Sequence, residues 1–411
     1  MKEKWKNFCI KAKEKEDKAV AWLKKVFTPI EWHVLFVVVT IMALLLRYFM
    51  FESKSGDYNS FLVHWFNTIK DEGIVKSLGR KIGDYTPAYF YILTLLTFIP
   101  IDSLYTIKAV SCIFDVVLAA FVYLSVKEYV KSRNVAFVAF CIVLFLPTVF
   151  FNSGSWAQCD SIYASFCVMS LYFLLKKKNV TAVILYGVAF SFKLQAIFLA
   201  PVFAVLFFKR KIPLWSPLAV FGVYFLFCVP SWLCGRSLWD LLTIYVSQSQ
   251  EYPALTLNAP TLPALFGKVS EYHRQKLANV CVCLALAVTG LVIYFAARQS
   301  EWKKQSFFDF GVLFALTIPY LLPHMHERYF YLADILSLAY VFLHPKRVYT
   351  ALLTEFCSFW VVCNYLFGMN YFSLQFLAVV QAVNIILLVK DLWKDYGRKQ
   401  ENALALGKQG E

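Results

Sequence analysis

Residues 83–100 read G-D-Y-T-P-A-Y-F-Y-I-L-T-L-L-T-F-I-P, and the length of the apolar run inside them decides how the chain threads a membrane. From Thr86 to Pro100 that run is about fifteen residues, short of the ~20 an α-helix needs to cross a hydrocarbon core. It reads as a juxtamembrane or re-entrant helix. The stretch closes a polar segment that opens at Ser55-Gly56-Asp57-Tyr58-Asn59-Ser60, just after the first apolar span, Trp32–Phe51. Gly-Asp-Tyr triplets stand at both places, 56–58 and 83–85.

The rest of the chain agrees with a membrane setting. Of 411 residues, 60% are apolar, 18% aromatic and only 16% charged, against about 25% charged in soluble domains. Apolar runs recur to the end, without the alternating ten-residue strands of a barrel. The expected class is all-α: a polytopic bundle of about twelve transmembrane helices. The net charge of +15 has a topological explanation, because Lys and Arg collect on cytoplasmic loops, and nucleic acid is not expected as a partner. Residues 1–30 carry a lysine-rich, aromatic-interleaved segment that reads as a cytoplasmic helix lying on anionic lipid. It is not a cleaved signal, since the apolar run that follows is a full span. The eleven cysteines fall mostly inside apolar runs and suggest neither a disulfide framework nor a metal site.

With the N-terminus inside and the 86–100 run not crossing, most of the 41 Lys and Arg fall on one side: Lys127 to Arg133, Lys176–Lys178, Lys209–Lys211, Arg298 to Lys304 and Lys346-Arg347. The transmembrane region is 31–393, with outer loops 52–103 and 234–275 and a cytoplasmic tail 394–411. Every polar, non-basic cluster then lands on the opposite, extracytoplasmic face.

Each cluster has a structural reading and a chemical one. Asp57 is either an N-cap or a carboxylate poised as general base. Asp84-Tyr85-Thr86-Pro87 is either a helix start or a second acidic contact for substrate. Gln158 and Asp160 either open the next helix or bond sugar hydroxyls. Lys193, with Gln195 beside it, interrupts an apolar stretch; it either snorkels to headgroups or binds phosphate. His324-Met325-His326-Glu327-Arg328 makes a phosphate clamp better than a metal site, because the two histidines are spaced i,i+2. Loop 234–275 is either a lid or acceptor surface, or an interfacial segment with no contact to substrate. A transporter or flippase of lipid-linked saccharide would need a polar path at mid-membrane; Asp115 and Glu355 are the main candidates, and neither has an evident partner in sequence.

In this order, Gly56-Asp57-Tyr58, Asp84-Tyr85-Thr86-Pro87, Gln158-Cys159-Asp160-Ser161, Phe192-Lys193 and His324–Arg328 resemble the GT-C glycosyltransferases. The nearest resemblance is to the lipid-phosphate-sugar-dependent mannosyl- and glucosyltransferases of the GPI-anchor and N-glycan pathways and their bacterial homologues. The resemblance implies Asp57 as catalytic base. It implies His324, His326, Arg328 and Lys193 on the donor phosphate, and Asp84, Tyr85, Gln158, Asp160, Gln195 and Glu327 near sugar or acceptor. It also implies a lipid-linked donor, a glycan, glycolipid or cell-wall acceptor, and no required cofactor. The basic segments place both termini in the cytoplasm, and without a C-terminal retention signal a bacterial plasma membrane is expected. Ala157 stands where the family motif has glycine. A polysaccharide polymerase or ligase is the remaining alternative.

Overall fold

A computed structural model describes residues 29–251 and 253–397. The basic N-terminal helix lies outside the described residues up to residue 28, and so does the tail from residue 398 on. The chain is helical almost throughout: α1 (Pro29–Tyr48), α2 (Val63–Glu72), α3 (Pro87–Leu96), α4 (Ser103–Val130), α5 (Arg133–Phe145), α6 (Asp160–Leu175), α7 (Asn179–Phe192), α8 (Ala200–Phe208), α9 (Ser216–Leu233), α10 (Glu271–Arg298), α11 (Ser306–Leu321), α12 (Tyr331–Leu343), α13 (Tyr349–Phe367) and α14 (Leu374–Leu392). Two-residue strands β1 (Thr256–Leu257) and β2 (Met325–His326) pair in parallel.

Six helices among the described residues are long and apolar enough to cross a membrane. A seventh crossing would be the pair Arg133–Phe145 and Pro147–Ser155, bent by 47°. The bend falls at Pro147, which cannot continue the backbone ladder of α5. The other five expected spans are helices of 10–17 residues, so the count of twelve is not established. There is a physical reason for their shortness. All sixteen residues of α11 are buried, as are the first ten of α12. Such helices are wrapped by neighbours and need not span the hydrocarbon alone. α3, at ten residues, is as short as its sequence requires.

The bundle runs α9, α7, α6, α4, α5 by successive packing, with α12, α11 and α13 closing the other side. Its two ends differ in charge. At one end Glu128 holds Lys131 at 3.2 Å, Lys176 at 3.3 Å and Lys304 at 3.2 Å. Three of the basic loops therefore meet. From there α6 runs back 16 residues, roughly 24 Å, to Asp160. The acidic and histidine clusters gather at that other end.

Two buried polar contacts set α1 in place. Arg47 donates to Asp115 on α4 at 2.7 Å, and Ser153 donates to the same carboxylate at 2.5 Å. Asp115 thus has a partner that the sequence did not reveal, and Glu355 accepts from the Thr148 hydroxyl at 2.9 Å. Lys108, fully buried on α4, donates to the carbonyls of Met50, Phe51 and Ser53 at 3.1, 2.9 and 2.6 Å. A cation on the terminal carbonyls satisfies acceptors that the helix end leaves open. The polar segment carrying Asp57 starts from this anchored point.

Candidate active site

Asp57 is held from four directions. Its Oδ2 accepts from Trp156 Nε1 at 3.1 Å, from the Gln158 amide, and from Arg328 at 3.3 Å. Its Oδ1 accepts from the Tyr365 hydroxyl at 2.6 Å. The backbone at Asp57 is already helical and its side chain caps nothing, so the N-cap reading fails. Ser55 explains the loop's course: its hydroxyl donates to the Trp156 carbonyl at 2.6 Å and accepts from Tyr58 N. Gly56 is closely faced, since a β-carbon there would come within 3.3 Å of the Tyr365 oxygen, a tight contact. The second triplet obeys the same rule, because a β-carbon on Gly83 would run into the Trp65 indole.

Arg328 is the hub. Its guanidinium lies 3.3 Å from Asp57, 3.6 Å from Glu327 and 3.8 Å from Asp160, and 5.6 Å from the Trp156 ring centre. Among the described residues its Nε has no hydrogen-bond partner. Lys193 neither snorkels nor stands free: it is 5% exposed and is ion-paired with Asp160, its amine also donating to Gln158 at 3.4 Å. Asn152 donates to the other oxygen of Asp160 at 2.8 Å. Asp160 therefore sits in the first turn of α6 without capping it. Asp84 pairs with Lys81 at 3.1 Å and its carbonyl accepts from the Gln248 amide. α3 starts beyond Asp84, with Pro87 in its first turn as expected.

Within loop 234–275, residues 254–258 brace the His-Glu-Arg segment, while Gln248, Glu251 and Gln275 line the cavity described below. Beyond the β1–β2 pairing, His324 N donates to Leu255 O at 2.9 Å and Glu327 N to Leu257 O at 3.1 Å. The His324 ring bonds the Ala254 carbonyl at 2.7 Å, which fixes the proton on Nδ1 and leaves Nε2 for another partner. Asn258 carries the ladder onward by donating to Val361 O of α13 at 3.1 Å.

Nine of the eleven candidate residues line one cavity of about 460 Å³: Asp57, Asp84, Tyr85, Gln158, Lys193, Gln195, His324, His326 and Arg328. Asp160 and Glu327 stand behind it, buried against Arg328. The Gln195 Oε1 is buried with no hydrogen-bond partner among the described residues. Away from the charges the wall is apolar, formed by Ile197, Phe198, Ala278, Val282 and Leu322 from the 194–199 turn, α10 and the end of α11. A third sector is neutral to acidic, with Gln248, Glu251 and Asn279.

The electrostatics follow from crowding. Burial by itself would raise the Asp57 carboxyl, but Arg328, the Tyr365 and Trp156 bonds and Lys193 outweigh it and hold it below the usual carboxylate range. Burial pushes Glu327 up to about 7 against the pull of Arg328. Burial and the Arg328 charge bring His326 down to about 3. The 4.0 Å approach of His326 to Glu327 is therefore not an ion pair near neutrality, because the imidazole is uncharged. Burial lifts the Tyr85 hydroxyl to about 12.

Sequence reasoning missed Trp156, Tyr365 and Lys108 as members of this arrangement. The first was visible only as part of a helix start, the second as one aromatic among many in a span. Lys108 carried a usable signal, a lysine inside an apolar run, like Lys193.

No curated protein matches the chain. The profile of glycosyltransferase family 87 matches residues 85–323, which takes in Tyr85, Gln158, Asp160, Lys193 and Gln195. Asp84 and His324–Arg328 lie just outside the match and Asp57 lies 28 residues before it, yet they fold onto or against the same cavity. Since the match spans more than half of the sequence and its two ends meet at one cavity in a helical membrane protein, the chain belongs to glycosyltransferase family 87.

Proposed function

We propose that the protein is an inverting hexosyltransferase of the GT-C type. It uses a polyprenyl- or dolichyl-phosphate sugar and acts on a glycan, glycolipid or cell-wall acceptor at the extracytoplasmic face. The observation that carries this reading is the pairing of the Asp57 carboxylate with an arginine hub in a cavity that also has an apolar wall. On this reading one base faces a cation, in place of the two flanking acids of glycoside hydrolysis. The apolar wall between α10 and the 194–199 turn suits a lipid tail. The neutral-to-acidic sector suits an uncharged sugar acceptor. The position of the basic loops at the other end of the bundle supports an outward-facing site and cytoplasmic termini.

In this mechanism the donor phosphate docks on Arg328, with His324 donating from Nε2 when protonated there and His326 acting as a neutral ligand. Lys193 holds Asp160 and Gln158 in position and adds field without leaving its ion pair. Drawing the guanidinium toward phosphate removes the nearest positive charge from Asp57, whose basicity then rises. Asp57 takes the proton of the acceptor hydroxyl as that oxygen bonds to the anomeric carbon. The bond from the anomeric carbon to the phosphate oxygen breaks, and lipid phosphate leaves with the electron pair. Arg328 stabilises the charge that develops on it. The unpartnered Gln195 oxygen is an acceptor for a sugar hydroxyl.

The test is transfer from a panel of synthetic lipid-phosphate hexoses, read as release of lipid phosphate by wild type and by Asp57→Asn. The substitution is expected to lower transfer by 10²–10⁴-fold while donor binding survives. Retained turnover in Asp57→Asn removes Asp57 from the role, and transfer only from a lipid-pyrophosphate saccharide added to the panel, with release of lipid pyrophosphate, would point to a polymerase or ligase.

A further inference from the structure

Asp57 has two inequivalent oxygens. Oδ2 accepts three bonds, from Trp156, Gln158 and Arg328. Oδ1 accepts one, from Tyr365 at 2.6 Å, and keeps a lone pair open. Tyr365 stands in the last turn of α13, beyond the matched family region, 308 residues from its partner. Three contacts fix it there. Its ring stacks on Trp156 with centroids 4.6 Å apart and planes at 22°. Its oxygen faces Gly56 with no room for a β-carbon to spare. One turn earlier the carbonyl of Val361 is gripped by Asn258 of the loop that also carries the His-Glu-Arg segment.

We propose that Tyr365 is a positioning residue for the transfer reaction: through its bond to Oδ1 it fixes the rotation of the Asp57 carboxylate so that the open lone pair of Oδ1 receives the acceptor's proton. The inference rests on Asp57 being the base. It makes the C-terminal hairpin α13–α14 part of the active centre and not a separate anchor. A hydrogen bond donated to the charged form of a carboxylate favours that form, so the hydroxyl also sets how basic Oδ1 is. The other titratable or charged groups that act on Asp57 are Arg328 and His326 from the β2 segment, Glu327 between them, and Lys193 from the end of α7. All of them are retained when only the Tyr365 oxygen is removed.

The experiment needs no substrate. Full-length protein in lipid nanodiscs is treated at pH 5 with a water-soluble carbodiimide and an amine. Labelling of Asp57, which requires its protonated form, is followed by peptide mass spectrometry with Asp84 as internal reference. Tyr365→Phe keeps the stacked ring and loses the bond. The pKa of Asp57 is expected to rise by about one unit and its labelling rate by about tenfold, with Asp84 unchanged. An unchanged Asp57 rate in the folded variant overturns the proposal. Should Tyr365→Phe not fold, Tyr365→Leu removes the same oxygen and is expected to raise the rate in the same direction; no rise there overturns the proposal equally. In a transfer assay with whichever donor of the panel is active, the acid limb of the Tyr365→Phe pH profile moves up by the same amount. This result is separable from the base assignment: loss of that assignment shows as activity retained in Asp57→Asn, whatever the labelling rates.

Discussion

The Asp57 carboxylate and the Arg328 guanidinium lie 3.3 Å apart although 271 residues separate them in sequence. One guanidinium also faces Glu327 and Asp160, a reach that a lysine ammonium, a single point of charge, does not reproduce. Arg328→Lys is expected to lower transfer by 10²–10³-fold and to weaken retention of a lipid-phosphate sugar on the purified protein. Transfer within a few-fold of wild type would mean that the hub serves only to hold the acids together.

Lys193 and Asp160 form a buried pair, with side chains 6% and 1% exposed. Removing one partner strands the other charge. Lys193→Met and Asp160→Asn are each expected to cost about 3–5 kcal/mol, and the double variant should recover a large part of that loss. Thermal unfolding of the four proteins completes the cycle. Additive costs would show that the two charges do not depend on each other.

Two neighbours in the His-Glu-Arg segment give opposite pH dependences. Glu327 titrates near 7 when folded, above its ordinary 4.5, so the folded state holds the extra proton and stability falls as pH rises from about 4.5 through 7. His326 titrates near 3 when folded, below its ordinary 6.5. Its contribution is complete above pH 6.5 and is lost as pH falls toward 3. Over the shared window the slopes offset, each at most about 1.4 kcal/mol per pH unit. Glu327→Gln should therefore leave a protein whose melting temperature climbs with pH up to about 6.5, and His326→Asn one whose melting temperature drops between pH 5 and 7. Parallel curves for the three proteins would contradict both assignments.

Ala157 is fully buried at φ 65°, a left-handed conformation that costs an ordinary residue roughly 1–2 kcal/mol. This is the position where the resembling motif has glycine. Ala157→Gly should stabilise the fold by up to about 1 kcal/mol after the extra chain entropy of glycine is subtracted, without loss of transfer. A lower melting temperature would show that the methyl group packs better than the strain suggests.

The helical class and the convergence of the outer clusters were readable because they depend on apolar run length and on the placement of Lys and Arg. The site's partnerships were not. Tyr365 is one of 24 tyrosines, and only the packing of α13 against the 151–158 turn gives it meaning. Lys193 was identifiable as out of place, but its commitment to Asp160 depends on where α6 and α7 end. The span count has the same gap, since the sequence does not show that a run such as Ser306–Leu321 is buried by neighbours on every side, and its length alone does not establish a crossing.

The two-residue ladder between Thr256–Leu257 and Met325–His326 has a consequence for how such an enzyme diversifies. Loop 234–275 is stitched, backbone to backbone, to the segment that carries the arginine hub. Any sequence grafted into it must preserve the carbonyls of Leu255 and Leu257, or the hub loses its footing along with them.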